Sequence, residues 1–383
     1  MRHRGFAGAL ALLVAFAAPV ATPVAALAAP AFSLEDALAA PFLSDLVASA
    51  DGRHLAWVRT DNGRRNIWVA SAPGFIPRAV TQFTADDGQE LTQLTWSPTG
   101  AQLVFVRGGD HDGNWAAAGN LAPNPTGDAA EPKVTLWRAG LAAKTKATKI
   151  TEGDAPALSA GGQLAFLRDG QVWAVSLVTA GAVPRRLFFD RGKARDLVWS
   201  PDGSKLAFVS GRDDHSFITI WQGATKPLAY MAPSTASDGD PVWSPDSRRI
   251  AFTRRQSALD GYAGFLAQTP EPWSIHVADI ATGAARQAWA SATTLRASYP
   301  DVLGGANLHW GAGDRLVFLS AETNWQQLYS VPASGGTATR LTADGFMVEH
   351  VTLTPDRSAL VFSANTGPFP EDDTRRHILR VGV

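Results

Sequence analysis

The residues Asp110, His111 and Asp112 carry the oxygen and nitrogen atoms that metal ions bind. Three adjacent residues cannot all converge on one ion, however, and the Gly and Asn residues around them are typical of a turn. A solvated loop is therefore the favoured interpretation, and the sequence predicts no metal site. Trp115 lies in the same loop, where an indole offers a rigid apolar surface with one hydrogen-bond donor.

Arg254 and Arg255 form the second group of residues that could do chemistry. A guanidinium presents a planar fork of donors that fits a carboxylate through two parallel hydrogen bonds. The pair is therefore a candidate binding site for a substrate carboxylate. An exposed hairpin end is also an ordinary place for arginines, so a purely solvated role stays open.

The sequence contains no complete set of catalytic residues. There is no cysteine, which excludes disulfides, thiolate metal sites and a cysteine nucleophile. No serine stands in a Gly-x-Ser-x-Gly elbow, whose glycines let the strand-to-helix turn close around an exposed hydroxyl. The histidines are scattered without the spacing of a triad or a zinc site, and structural roles are expected for His54, His215, His276, His309, His350 and His377. No catalytic residue and no cofactor is predicted.

A degenerate repeat forms the framework around these residues. Its clearest copies are Asp196–Ser210, Pro241–Thr253 and Leu94–Val106, which share a Trp-Ser-Pro turn followed by a strand. In the turn, Pro presets φ at the first central position, and Gly accepts the left-handed conformation that follows. Weaker copies of the same hairpin are predicted at Leu46–Val58, Ala157–Leu167, Leu308–Leu319 and Val351–Phe362.

Each unit continues into further strands. A third strand with a bulky apolar residue is predicted in segments such as Asn66–Val69 and Gln171–Val175, and a short fourth in most copies, for example Arg185–Phe189. The central aromatic residues recur every forty-odd residues or somewhat more, which is near the period of propeller blades. They are Trp57, Phe105, Phe166, Phe208, Phe252, Phe318 and Phe362. The fold class is therefore all-β, a β-propeller of about seven four-stranded, WD-like blades over residues 33–383.

The last copy is incomplete, because only His377–Val383 follows its hairpin. An unpaired outer edge is something proteins normally cover. Two alternatives stay open: the segment around Phe32 to Leu34 completes this blade, or the chain is the front part of something longer. Marginal stability is expected in either case, because each blade relies on its neighbours for burial.

The first residues predict export. Arg2 and Arg4 precede an uncharged stretch from Gly5 to Ala29 that ends in small residues, which is typical of a secretory signal peptide over residues 1–29. Pro19 and Pro23 interrupt this stretch and argue against a membrane anchor. The predicted location is the periplasm or the exterior of a bacterium, with no membrane attachment after cleavage. The net charge of −1 gives no long-range attraction for nucleic acid.

The repeated Trp-Ser-Pro-Asp-Gly turn followed by Leu-Ala-Phe-Val-Ser resembles the propeller repeats of TolB-like proteins and of the prolyl oligopeptidase family of serine peptidases. The segments Arg65–Val69, Asp86–Leu91, Val106–His111 and Glu271–Ile275 resemble the dipeptidyl peptidase and acylaminoacyl peptidase branches in particular. The resemblance covers the chain from about Ser33 to its end.

The resemblance implies a propeller that admits and binds peptide substrates above an α/β-hydrolase domain with a Ser-Asp-His triad. That domain is absent from this sequence, so hydrolysis would need one in cis or in trans. Within the resemblance, Asp110, His111, Asn114 and Trp115 are expected to reach toward a substrate peptide, with Arg254 and Arg255 as further candidates. The alternatives are a self-sufficient TolB-like propeller that binds a protein partner, and a lactonase-like or quinoprotein-like enzyme, for which no converging acidic residues can be named.

Overall fold

The computed structural model describes residues 33–108, 133–141, 146–257, 269–300, 302 and 304–383. It divides into two compact units, Met1–Ala40 and Pro41–Val383. The described part of the first unit contains helix α1, Leu34–Leu38, which is capped by Ser33. The Ser33 hydroxyl accepts a hydrogen bond from the backbone N–H of Asp36 at 3.0 Å, which satisfies one free amide of the first turn. Leu34 therefore lies in a helix and not in a strand.

The second unit consists of blades in chain order whose own strands pair antiparallel, as the repeat predicts. A single parallel pairing of Ser216 with Ser237 joins blades 4 and 5 into one eight-stranded sheet. Blades 1 and 2 comprise β1 Phe42–Ala48, β2 His54–Asp61, β3 Arg64–Ser71, β4 Arg78–Ala79, β5 Leu91–Trp96, β6 Gln102–Arg107, β7 Thr135–Gly140 and β8 Thr148–Glu152. Blades 3 and 4 comprise β9 Asp154–Leu158, β10 Gln163–Arg168, β11 Gln171–Ser176, β12 Arg185–Arg186, β13 Lys193–Trp199, β14 Leu206–Gly211, β15 Ser216–Trp221 and β16 Ala229–Tyr230.

Blades 5 to 7 complete the described strands. They comprise β17 Ser237–Trp243, β18 Arg249–Arg255, β19 Trp273–Asp279, β20 Ala285–Ala290, β21 His309–Gly311, β22 Arg315–Ser320, β23 Gln327–Pro332, β24 Thr339–Arg340, β25 Val348–Leu353, β26 Ala359–Ala364 and β27 His377–Gly382. Three 3-10 helices, Leu295–Ala297, Ala312–Asp314 and Pro370–Thr374, lie between strands. The all-β propeller is thus confirmed, and among the described residues blade 7 has three strands. No helix in the described ranges is long and apolar enough to cross a membrane.

The Ser-Pro-Asp-Gly turn fixes the hairpin between the first two strands of a blade. In blade 4 the Ser200 hydroxyl accepts a hydrogen bond from the N–H of Lys205 at 3.0 Å and donates one to Asp202 at 2.5 Å. The hydrogen bond from Ser200, with others from Ser204, holds the pKa of Asp202 well below its usual range. Gly203 follows with φ of +70°, a conformation that costs other residues energy. The turn therefore sets the register of β13 and β14.

The Trp of the repeat joins neighbouring blades near the ring centre, where first strands of adjacent blades touch. Its indole N–H donates to a backbone carbonyl in the first strand of the preceding blade. The three bonds are Trp96 to Val47 at 3.3 Å, Trp199 to Ala157 at 3.0 Å and Trp243 to Val198 at 3.0 Å. A buried apolar cluster fills each interface between consecutive blades, from blades 1 and 2 to blades 6 and 7.

A bulge interrupts the first strand of the blades at one repeated position. The bulged residue has a positive φ, which Asn and Asp tolerate better than most side chains. These residues are Asp45, Gln93, Ala155, Asp196, Asp240 and His350, and Asn307 has the corresponding position just before β21; their φ values lie between 46° and 54°. The bulged residues are mainly polar, and they lie near the start of the first strand, beside the end of the second strand.

Candidate functional site

The connections between the second and third strands of all blades lie at one edge of the ring, here called the insertion edge. In blade 2, β6 ends at Arg107 and β7 begins at Thr135, so the chain leaves and re-enters the blade at this edge. Asp110, His111, Asn114 and Trp115 belong to that connection and lie outside the described residues. The corresponding connection of blade 5 follows Arg254 and Arg255, which are described.

Arg254 is held by a carboxylate of the protein itself. Its Nε and Nη2 atoms donate to the two oxygens of Asp238 at 2.7 and 2.9 Å, and Nη2 also donates to the carbonyl of Ala232 at 2.7 Å. The Asp238 side chain is fully buried beside it. Burial raises the pKa of Asp238, and the neighbouring guanidinium offsets part of that rise. In this arrangement, the fork of Arg254 is already occupied.

Arg255 has a different environment, although it is the next residue. Its guanidinium carbon lies 4.2 Å from the centroid of the Tyr299 ring, in a cation–π contact. Within the described ranges, its guanidinium forms no hydrogen bond and no ion pair with a carboxylate. The side chain is half-buried at the insertion edge. Of the two predicted arginines, Arg255 is thus the one whose donors face no internal carboxylate.

Tyr299 connects Arg255 to the bulge of the first strand. Its hydroxyl donates to Asp240 at 2.6 Å, and the same carboxylate oxygen accepts a hydrogen bond from Thr253 at 2.7 Å. The N–H of Ala306 donates to the Tyr299 oxygen at 3.2 Å. Burial and the nearby negative charge of Asp240 raise the pKa of Tyr299, so the phenol stays protonated. Arg255 therefore rests on a ring that is fixed at its far end.

Ser274 and His276 form the closest approach to a nucleophile and base in this blade, at 3.0 Å between Oγ and Nε2. Burial and the positive charge of Arg254 lower the pKa of His276 to about 4. The imidazole stacks on Phe252 with centroids 5.6 Å apart. In the described part of the chain no carboxylate bonds to His276, so the pair lacks the third member that orients a catalytic base. We assign the pair to packing within blade 5.

Arginines stacked on aromatic rings recur around the insertion edge, which the sequence analysis missed. The contacts from guanidinium carbon to ring centroid are Arg59 with Trp68 at 4.8 Å, Arg107 with Phe83 at 4.7 Å, Arg168 with Trp173 at 4.5 Å, Arg212 with Phe217 at 5.5 Å and Arg254 with Phe252 at 5.5 Å. Four of them pair with acids, namely Asp61, Asp87, Asp190 and Asp238. Most of these arginines stand two residues after the central aromatic residue of their repeat copy. This spacing is the sequence signal from which most of the stacked arginines could have been predicted.

A cleft of about 320 Å³ opens between blades 1 and 2 at the same edge. Phe42, Val58 and Leu91 form its apolar lining, and Asp45 and Arg65 are among its polar groups. The cleft lies beside the strand end from which the long connection of blade 2 departs. Among the described residues, no group of three or more potential ligand side chains is arranged to hold a metal ion.

Comparisons with known proteins identify the fold. No protein-family model matches the chain, and no curated protein is significantly similar. Prolyl oligopeptidase B from Galerina marginata is 10% identical over 90% of this chain and 50% of its own, with a TM-score of 0.56. An oligogalacturonate lyase from Vibrio parahaemolyticus is 12% identical over 88% of each chain, with a TM-score of 0.54. The TolB of Acinetobacter baumannii is 16% identical over 76% of this chain and 64% of its own, with a TM-score of 0.42.

At these identities the likeness establishes a shared architecture. The chain has the β-propeller fold that also occurs in prolyl oligopeptidases and oligogalacturonate lyases. It spans about half the length of the prolyl oligopeptidases it matches.

Proposed function

We propose that this chain is the propeller portion of an exported serine peptidase of the prolyl oligopeptidase family, and that it binds and admits peptide substrates at the insertion edge. The observation that carries the proposal is Arg255, whose guanidinium rests on Tyr299 and meets no internal carboxylate among the described residues. A half-buried, pre-oriented Arg is suited to a carboxylate or carbonyl oxygen of a peptide. The chemistry itself would come from an α/β-hydrolase domain, in cis or in trans.

The first test separates binding from chemistry. The purified mature chain is incubated with short amide substrates and with a serine-directed fluorophosphonate, and neither turnover nor labelling is expected. Reproducible labelling that abolishes turnover would reveal a nucleophile in this chain and would contradict the proposal.

The second test concerns Arg255. Binding of fluorescent peptides with a free carboxylate is measured by anisotropy, and Arg255→Ala is expected to weaken it about tenfold, since losing a charge-assisted hydrogen bond costs roughly 1.5 kcal/mol or more. Arg248→Ala is the matched control, because Arg248 is an exposed arginine of the same blade in the turn before β18, at the opposite edge. Equal affinity of wild type and Arg255→Ala would show that Arg255 does not bind the peptide.

Export is part of the proposal. The mature protein isolated from its host is expected to begin just after Ala28 or Ala29, which intact-mass measurement reads directly. A full-length chain that still starts at Met1 would contradict export.

A self-sufficient protein-binding propeller, of the TolB-like kind, is the second candidate. The stacked arginines favour it, because one recurs in each of blades 1 to 5. Arg and aromatic residues are enriched where proteins meet. Under this alternative, Arg59→Ala with Arg168→Ala weakens binding of a protein partner, while short peptides bind neither the variant nor the wild type.

A further inference from the structure

The described interfaces between consecutive blades are built on two repeated positions. One is the first apolar residue of the second strand, which faces the preceding blade; it is fully buried at Leu103, Leu164, Leu206, Ile250, Leu316 and Leu360. The other is a third-strand residue that faces the following blade; it is fully buried at Ile67, Leu136, Val172, Ile218, Ile275 and Leu328. Each apolar cluster contains residues from both kinds of position. The repeat therefore defines which residue types two neighbouring blades bring to their interface.

One face of blade 1 and one face of blade 7 have apolar residues at these repeat positions, but the residues there are more exposed to solvent. On blade 1, Leu46 is 69% exposed, whereas the equivalent Leu94 in blade 2 is 7% exposed. Leu55 and Trp57, on the same face of blade 1, are half-buried. On blade 7, Ile378 is 75% exposed, at the position that is fully buried in blades 1 to 6. Within the described residues, no apolar cluster contains members of both blade 7 and blade 1.

We propose that these two faces hold one further four-stranded blade between them. Both faces have the same repeat positions as the interfaces between neighbouring blades. Those interfaces therefore indicate which residues the further blade would present to each face. Toward blade 7 it presents a Leu-x-Phe second strand, as Leu206 and Phe208 do toward blade 3. Toward blade 1 it presents small and β-branched residues, which in the other interfaces pack on the aromatic side of the neighbour.

Two polar features of blade 7 fit the same occupant. Thr352 is equivalent in the repeat to Val47, Ala157 and Val198, whose carbonyls accept the indole N–H of the next blade. A Trp at the end of the occupant's first strand would donate to Thr352 in the same way. In blade 3 the third strand pairs with a short fourth strand, Arg185–Arg186, whereas β27 pairs with β26 alone among the described strands. The segment that enters the new blade would fill that edge.

A matched pair of variants tests whether the face is free. Ile378→Lys and Ile218→Lys place the same charge at the same repeat position in blades 7 and 4. Thermal unfolding is expected to lose its cooperative transition in Ile218→Lys, because an unpaired charge is buried. In Ile378→Lys the midpoint should change by no more than about 2 °C, as for an exposed position. Equal damage by both would mean that blades 7 and 1 pack directly together, which overturns the proposal.

A second experiment supplies the occupant. A copy of residues 177–236, which contain a fourth strand and the whole of blade 4, is joined after Val383 of the full chain. In this extended chain Ile378→Lys should become as damaging as Ile218→Lys, and the amide hydrogens of β1 and β27 should exchange at least tenfold more slowly. The control extension has Leu206→Asp in the copied segment and should give neither effect.

Two further outcomes would overturn the proposal of a further blade. If the extended chain tolerates Ile378→Lys as well as the unextended chain does, the faces do not accept a blade and the proposal fails. If sedimentation shows a dimer of the unextended chain that Ile378→Lys dissociates, the occupant is a second copy and the proposal is overturned. Both readouts are independent of peptide binding, so they can fail while the proposed function stands.

Discussion

The adjacent arginines of blade 5 allow a structural role to be separated from a binding role by one substitution each. Arg254→Ala removes both hydrogen bonds to Asp238 and the bond to Ala232, and it leaves the fully buried Asp238 carboxylate unpaired. Breaking a buried pair from one side typically costs about 3–5 kcal/mol. For a propeller of roughly 350 residues, an unfolding entropy of about 0.7 kcal/mol per degree converts this to a fall in Tm of about 4–7 °C. Arg255→Ala should cost under about 1 kcal/mol, because its contact is a partly exposed cation–π stack.

The assay is urea unfolding followed by tryptophan fluorescence, at pH 7 and at pH 5. Without Arg254, the folded-state pKa of Asp238 rises further above that of the unfolded chain. The loss of stability in Arg254→Ala is then largest at a pH above both pKa values of Asp238. It becomes smaller as the pH falls and the carboxyl group becomes protonated. The double variant Asp238→Leu with Arg254→Leu should be within about 1–2 kcal/mol of wild type, since no charge is then left buried. Equal stabilities of Arg254→Ala and Arg255→Ala at pH 7 would refute the assignment of Arg254 as a structural residue.

Three further predictions concern the repeat and its histidine. Trp199→Phe removes the indole bond to Ala157 and should lower the free energy of unfolding by about 1 kcal/mol, measured in urea. Ser200→Ala removes the acceptor of the Lys205 N–H and should cost about 1–2 kcal/mol; an unchanged midpoint would show that the turn forms without it. Because the folded-state pKa of His276 is lowered to about 4, the stability that its neutral imidazole contributes is fully present above pH 6.5. This stability is lost as the pH falls toward 4. Between pH 7 and pH 4.5, His276→Gln should therefore lose about 2 kcal/mol less of its free energy of unfolding than the wild type does. His350→Gln is the exposed control.

Periodicity predicted the architecture because each copy contains its own turn chemistry. Ser200, Asp202 and Gly203 fix one hairpin through bonds that span five residues, so the local sequence determines the local fold. Even the copy at Ala157–Leu167, which lacks the Trp and Pro, forms the predicted pair of strands β9 and β10. The three described strands of blade 7 also match the sequence, which places His377–Val383 after the last hairpin as a third strand.

The candidate site was less predictable, because its contacts depend on register. The sequence is compatible with an exposed hairpin end for Arg254, whereas this residue lies at the end of β18 opposite Asp238. A bulge between Gly239 and Val242 shifts the pairing of β17 and β18, and it decides which carboxylate meets which arginine. Nothing in the spacing of residues 238 and 254 shows that shift. Tyr299 is still more remote, since it reaches Asp240 from the segment between blades 5 and 6.

Blade 5 links the insertion edge to the first strands at the ring centre. Arg255 rests on Tyr299, Tyr299 bonds to Asp240, and Asp240 has the positive φ of the bulge in β17. A bulged residue in this conformation costs energy unless its surroundings hold it, and here two hydroxyl donors do so.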